Sequence, residues 1–264
     1  MKKVAILVID PQNDFCDPKG ALSVPGAEMD MIRLASFITK NYLSINEFQI
    51  TLDSHHRLHI AHPISWLDKH GNPPPVFTPI SCADVKNGVW RARNPGFQTI
   101  FENYVEALEK NGRYTLCIWP EHCLIGSVGA AINQDLYKAM YTWEGRYAIA
   151  GKNTKGSNLF TEHYSAVKAD VEDPKDEFTK INMPLINLLN DNDEILISGE
   201  ALSHCVANTV RDIADVFDPN DVKKLVLLED ASSSVTGCDS LGSQFVSDLV
   251  GRGMQVSTTQ TYKF

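Results

Sequence analysis

In the stretch ILISGEALSHCVANTVRDIADVF (195–217) a cysteine, Cys205, stands where an apolar run gives way to helical spacing. ILIS is apolar without alternation, as parallel strands covered on both faces are. Val206, Val210, Ile213, Ala214 and Phe217 then form one helix face. Ser203 reads as the N-cap, which puts Cys205 in the first turn. There the unpaired amides and the helix dipole favour an anion, and a thiol can ionise near neutral pH. A buried structural cysteine fits the same place, so partners must decide. Asp10 closes the run VAILVI ahead of Pro11, and Lys155 stands in NTKGSN. Taken singly they read as a turn aspartate and a solvated lysine, and Lys152 competes for the second role. Together they supply a carboxylate base for the thiol and an ammonium that holds both anions.

A second group suits a metal. TLDSHHRLHIAHP (51–63) opens with Asp53 and His55, and WPEHC (119–123) supplies His122. Asp-x-His with a distant third His fits a divalent transition metal completed by water, and a solvated basic loop is the alternative. His59 lies six residues after Asp53, and His56, His62 and His70 have weaker claims. Phe15, Trp119, Tyr164 and His204 read either as aromatic core or as the walls around a flat ring.

These residues need elements to position them. Strand patterns fall at 4–9, 48–52, 147–150, 194–198, 224–228 and 254–258. Helical patterns fall near 28–43, 127–143, 183–190, 204–217 and 239–252. The alternation predicts an α/β fold, a six-stranded mainly parallel sheet with helices on both faces, and a site at the carboxyl ends of the strands. The interval 56–118 breaks the rhythm with GNPPPVFTP and a helix, YVEALEKNGRY, ending at Gly112. It reads as a long insertion in one domain spanning 1–264. A second irregular stretch, 151–182, ends in a polar loop. The turn after the first strand, DPQNDFCDPKG, has no GxGxxG, and GSVGAA (126–131) falls short of one, which argues against a dinucleotide site.

Composition sets the wider bounds. The chain has 264 residues, 43% hydrophobic and 22% charged, with a formal net charge of -9. That balance argues against a nucleic-acid surface. The six cysteines are scattered without a close framework, which predicts reduced thiols and a cytoplasmic setting. The opening apolar run is six residues long and reads as a first strand, not a signal peptide, and no segment is long enough to span a membrane.

The order Asp…Lys…Cys, each in strand–loop context, resembles the nicotinamidase and isochorismatase-like cysteine hydrolases over nearly the whole chain. VIDPQNDF is similar to the family's first-strand motif, KGSNLFTEHYSAV to its lysine segment and GEALSHCVANT to its nucleophile segment. The resemblance implies a three-layer fold and a catalytic triad of Asp10, Lys155 and Cys205, with an oxyanion hole from the N–H groups of Ala201 and Cys205. It also implies a cis peptide between Glu200 and Ala201. Asp53, His55 and His122 match the metal ligands of the nicotinamide-deamidating branch, with His59 as auxiliary. The metal implied is one divalent ion per chain, zinc first, with iron and manganese as alternatives. Phe15 and Trp119 would sandwich a pyridine ring, with Tyr164 and His204 beside it.

The activity implied is hydrolysis of nicotinamide to nicotinate and ammonia through a cysteine thioester. Another amide or ureido substrate on the same triad, and a catalytically silent scaffold, are the alternatives. The partner implied is a small amide, with homo-oligomerisation left open. Glu200 departs from the family pattern. It is expected to face the pocket and accept from a donor on the substrate, or else to turn away and pair with Lys155 or His204.

Overall fold

The computed structural model describes residues 2–146 and 148–264. Its main sheet has six strands: β1 (Val4–Ile9), β2 (Glu47–Asp53), β3 (Gly151–Lys155), β4 (Glu194–Gly199), β5 (Leu225–Leu228) and β6 (Gln255–Ser257). All pairings are parallel, and the order is β6-β5-β4-β1-β2-β3. The chain steps one way from β1 to β3 and the other way from β4 to β6. Right-handed crossovers therefore place α2 (Ala27–Asn41) and α5 (Gln134–Glu144) on one face. They place α6 (Met183–Asn190), α7 (Ala207–Val216) and α8 (Asp239–Gly251) on the other. The direction reverses between β1 and β4, so a crevice opens beyond their carboxyl ends.

Burial follows the sequence pattern. Every residue of β1 is buried, as a central strand covered twice must be. On α2, Ala27, Met31, Leu34, Ala35 and Ile38 face the core at helical spacing. On the opposite face Val206, Val210, Ile213, Ala214 and Phe217 are all buried. The 56–118 segment carries α3 (Cys82–Lys86), α4 (Gln98–Asn111) and two short antiparallel pairs. Its Trp66, Ile80, Phe101 and Leu108 join the same buried cluster as the sheet. The helix ends at Gly112, in the left-handed region, where the sequence put its stop.

Three boundaries depart from the sequence reading. The third strand is not 147–150: residue 147 lies outside the described residues, residues 148–150 are irregular, and the strand is Gly151–Lys155. This is an edge strand with one exposed side, so its polar GKNTK gives no apolar signal, and pairing with Gln49–Asp53 fixes it instead. The helix predicted from 127 begins at Gln134, because Asn133 caps it by accepting from Asp135 and Leu136 N–H at 3.0 and 3.4 Å. Residues 128–133 instead bond the loop after β1, where Asn13, Asp14 and Asn133 N–H donate to Ala131, Gly129 and Pro11 carbonyls. The helix predicted from 204 begins as a wide π turn, Leu202–Val206, that runs into α7. Among the described residues, no helix is long and apolar enough to cross a membrane. All six cysteines are free.

Candidate active site

Four strand ends meet at the crevice. Asp10 follows β1, Asp53 and Lys155 are register partners ending β2 and β3, and Cys205 lies in the π turn beyond β4. The Lys155 ammonium stands 2.9 Å from Asp10 Oδ2, 3.1 Å from Asp53 Oδ1 and 3.6 Å from Cys205 Sγ. Lys152, the competitor, instead reaches Glu144 on the surface, at 3.7 Å. Asp10 is fixed by Thr51, whose hydroxyl donates to Oδ1 at 2.6 Å. Gln12 ties β2 to the loop over the site, donating to Asp53 O at 2.7 Å and Ala130 O at 3.0 Å. Lys155 is followed by Gly156 at φ +80; a Cβ there would lie 2.7 Å from Asp53 Oδ1 and 2.8 Å from His55. Only glycine lets this backbone pass so close beneath the carboxylate.

Burial dominates the charges. It pushes the Cys205 thiol well above its ordinary value; Lys155 opposes this, while Asp10 and Asp53 add to it. Position at a helix start favours an anion, but this turn is buried, and desolvation opposes ionisation. Ser203 is not an N-cap either. Its hydroxyl accepts from Val235 N–H at 3.1 Å and lies 2.9 Å from His204 Nδ1. Asp10 is also raised by burial, with Lys155 pulling it down. Lys155 is held well above its usual range: burial lowers it, but Asp10 and Asp53 more than offset that. The peptide between Glu200 and Ala201 is cis. Among the described residues Ala201 N–H has no hydrogen-bond partner, so it is available to an incoming oxyanion.

The pocket above the cysteine is lined by Phe15, Leu22, Asp53, Trp119, His122, Glu162, Tyr164, Ala201, His204, Cys205 and Val235. The four aromatic candidates all belong to it. Trp119 Nε1–H donates to the Tyr164 hydroxyl at 2.8 Å, and His204 lies edge-on to Trp119 at 5.4 Å. Burial lowers His204 to about 4. Glu162 escaped the sequence reading although it sits inside the lysine segment. Its Oε1 accepts from His163 N–H at 2.9 Å. Nothing in a lone glutamate on an irregular loop marks it beforehand.

Asp53, His55 and His122 cluster with their ligand atoms within 4.8 Å of one another. The hydrogen bonds test whether a cation fits. His55 Nδ1 lies 2.9 Å from Gly156 O and His122 Nδ1 lies 2.8 Å from Pro120 O, which assigns both Nδ1 atoms as donors. Both Nε2 atoms then turn to Asp53 Oδ2, at 3.0 and 3.3 Å. Two lone pairs facing a carboxylate oxygen need a proton or a cation between them. Backbone carbonyls orienting ligand imidazoles are the usual outer support of such centres. The donor set fits a divalent transition metal.

His59 does not join it. Its Nε2 donates to Thr161 O at 3.1 Å and its Nδ1 accepts from Ala61 N–H at 3.2 Å, so the backbone uses both nitrogens. With His55 and His62 it forms a second group whose ligand atoms lie within 4.8 Å of one another. His62 is buried beside the cluster with Nε2 unpartnered, a feature its sequence position did not reveal. His56 and His70 are exposed.

Glu200 is the clearest departure. It is fully buried yet does not line the pocket, and it pairs with neither Lys155 nor His204. Its side chain turns to the α2 side and accepts from Ser233 N–H at 3.1 Å. Of the two orientations expected from the sequence, the pocket-facing one is overturned. The side chain does turn away, but toward Ser233 and α2 rather than Lys155 or His204, because the residue after β4 is set by the sheet face rather than by the cysteine nearby.

Sheet order and site together define a doubly wound α/β protein with a buried Asp–Lys–Cys cluster beside a metal-type donor set. No protein-family model matches the chain. A nicotinamidase of Escherichia coli is 26% identical over 210 residues, 79% of this chain and 75% of that protein. A nicotinamidase of Saccharomyces cerevisiae is 24% identical over 211 residues, 80% and 81% of the two. Among solved structures, the yeast nicotinamidase superposes with a TM-score of 0.66 at 20% identity, covering 96% of this chain and 98% of that one. A Pyrococcus horikoshii pyrazinamidase in complex with zinc gives 0.57 at 19%, covering 97% and 99%. The chain is thus similar to nicotinamidases in sequence over about four fifths of its length and shares their fold.

Proposed function

We propose that the chain is a cysteine amidohydrolase that hydrolyses nicotinamide to nicotinate and ammonia. The observation that carries this reading is the Lys155 ammonium, which touches both Asp10 and Cys205 at the floor of an aromatic pocket. Asp10 takes the Cys205 proton as the sulfur attacks the amide carbonyl, and its raised pKa suits it to hold that proton. Lys155 stabilises the separated charges, and Ala201 N–H donates to the oxyanion. Asp10 then protonates the departing ammonia and activates the water that cleaves the thioester.

Asp53, His55 and His122 would hold a divalent transition metal, zinc being favoured by two imidazoles with one carboxylate. When bound, the ion would supply a Lewis-acid anchor for a ring nitrogen. Phe15, Trp119, Tyr164 and His204 hold a flat ring in place, which is catalysis by positioning. A different amide on the same triad is the second reading, favoured by Glu162: a carboxylate in the pocket wall suits a substrate with an extra donor.

Ammonia release across nicotinamide, pyrazinamide, benzamide and an amino-substituted nicotinamide tests both. Nicotinamide should turn over well and benzamide, lacking the ring nitrogen, far more slowly. Equal rates for benzamide would sink the metal-anchored reading, and a clear preference for the amino-substituted ring would favour the second.

A further inference from the structure

Glu200 and Asp30 are two buried carboxyl groups, 0% and 2% exposed, on different elements. They meet at Ser233, whose N–H donates to Glu200 Oε2 at 3.1 Å and whose hydroxyl donates to Asp30 Oδ2 at 2.5 Å. Arg33 takes the other Asp30 oxygen. Glu200 Oε1 has no partner. One half-exposed guanidinium cannot compensate two buried carboxylates, whereas a proton on Glu200 removes one charge and turns its orphan oxygen into a donor toward Asp30.

We propose that Glu200 is a positioning residue, a neutral acid that pairs with Asp30 across Ser233 and thereby fixes the turn presenting Ala201 and Cys205. The same loop is laced to that turn three more times. Leu202 N–H donates to Ser233 O at 2.8 Å, Val235 N–H to Ser203 Oγ at 3.1 Å, and the Ser232 hydroxyl to Gly199 O at 2.6 Å. The loop comes close to α2 because the residue before that helix is Gly26, at φ +97, where a Cβ would lie 2.7 Å from Ser233 Oγ. Ser233 thereby couples α2 to the cysteine turn.

The groups that face the Glu200 carboxyl are Asp30 and Arg33 on α2 and the Cys16 thiol on α1 (Asn13–Cys16). Burial first, and Asp30 second, hold Glu200 well above the usual carboxylate range, with Ser233 and Arg33 pulling the other way. The positioning role rests on the reading of Cys205 as nucleophile; the protonation state does not.

The test compares Glu200→Gln with Glu200→Leu. Glutamine keeps an acceptor for Ser233 N–H and a donor toward Asp30, and leucine keeps neither. Glu200→Gln should turn over nicotinamide within about twofold of the wild type. Glu200→Leu should lose kcat by about tenfold or more with KM little changed, on the scale of a misplaced reacting group. Because a raised carboxyl is ionised in the unfolded chain but neutral in the folded one, wild-type stability should fall relative to Glu200→Gln as pH rises above about 4.5. The two should therefore melt alike near about pH 4, with the glutamine variant melting higher near about pH 8.

A glutamine variant as impaired as the leucine variant would overturn the neutral acid, and wild-type kcat in Glu200→Leu would overturn positioning. Should Glu200→Leu not fold, the melting comparison decides, and a gap independent of pH counts against the proposal. Absence of amidase activity in the wild type would instead defeat the proposed function and leave the melting comparison standing.

Discussion

Lys155 and Asp10 form a fully buried ion pair at 2.9 Å, and the same ammonium lies 3.6 Å from Cys205 Sγ. A buried ammonium is costly unless paired, and here its two carboxylate partners, Asp10 and Asp53, end neighbouring strands. Removing Lys155 would leave both anions uncompensated.

Lys155→Met should therefore lower kcat by about 10^3-fold or more, and Asp10→Asn should do the same. The double variant should be no worse than either single one, since both break the acylation step. Steady-state kinetics on the two singles and the double would decide. Losses that multiply would mean that the two residues act in separate steps.

The metal reading separates His59 from the other histidines. His122→Ala should lower bound metal well below one ion per chain, measured by elemental analysis after dialysis against a weak chelator. His59→Ala should keep the metal but lose about 1–3 kcal/mol of stability, because Thr161 O and Ala61 N–H lose a buried partner. Metal loss in both variants would restore His59 to the ligand set.

Tyr164 accepts from Trp119 Nε1–H at 2.8 Å, which steadies one wall of the pocket. Tyr164→Phe should raise KM for nicotinamide several-fold and leave kcat within about twofold, as expected when ring binding rather than bond breaking is disturbed. A fall in kcat at unchanged KM would move Tyr164 from the wall into the chemistry.

Asp170 sits behind that wall and accepts from Tyr164 N–H at 3.3 Å. Burial, and then the Glu162 charge, push its carboxyl up to about 7. A raised carboxyl contributes its stability below its unfolded value, near ~4, and loses it as pH rises through about 7. Asp170→Asn should therefore be more stable than the wild type near about pH 8, by up to roughly 4 kcal/mol, with the gap closing as pH falls toward 4. Denaturant titrations across that range would show it, and a gap constant with pH would place the charge elsewhere.

The meeting of Asp10, Asp53 and Cys205 at one end of the sheet was legible because they follow apolar runs that only a covered parallel strand explains. Lys155 was legible by motif and not by strand, since β3 is a polar edge strand whose place is set by pairing with β2. Gln12, Thr51 and Glu162 were not legible, as each acts through a partner more than 30 residues away in sequence or through a loop without periodicity. The orientation of Glu200 was hidden for a different reason. The residue after a central strand can turn to either face of the sheet, and only the fold puts Asp30 and Ser233 on the side it takes. The depth of Cys205 was hidden as well, since helix position is visible in sequence and burial is not.

Ammonia release from nicotinamide by the wild type and by Cys205→Ala, at matched metal content and confirmed folding, is the most direct measurement of the cysteine mechanism. The wild type should turn over steadily and the alanine variant should fall by about 10^3-fold or more. A Cys205→Ala protein that keeps a tenth or more of the wild-type rate would contradict it.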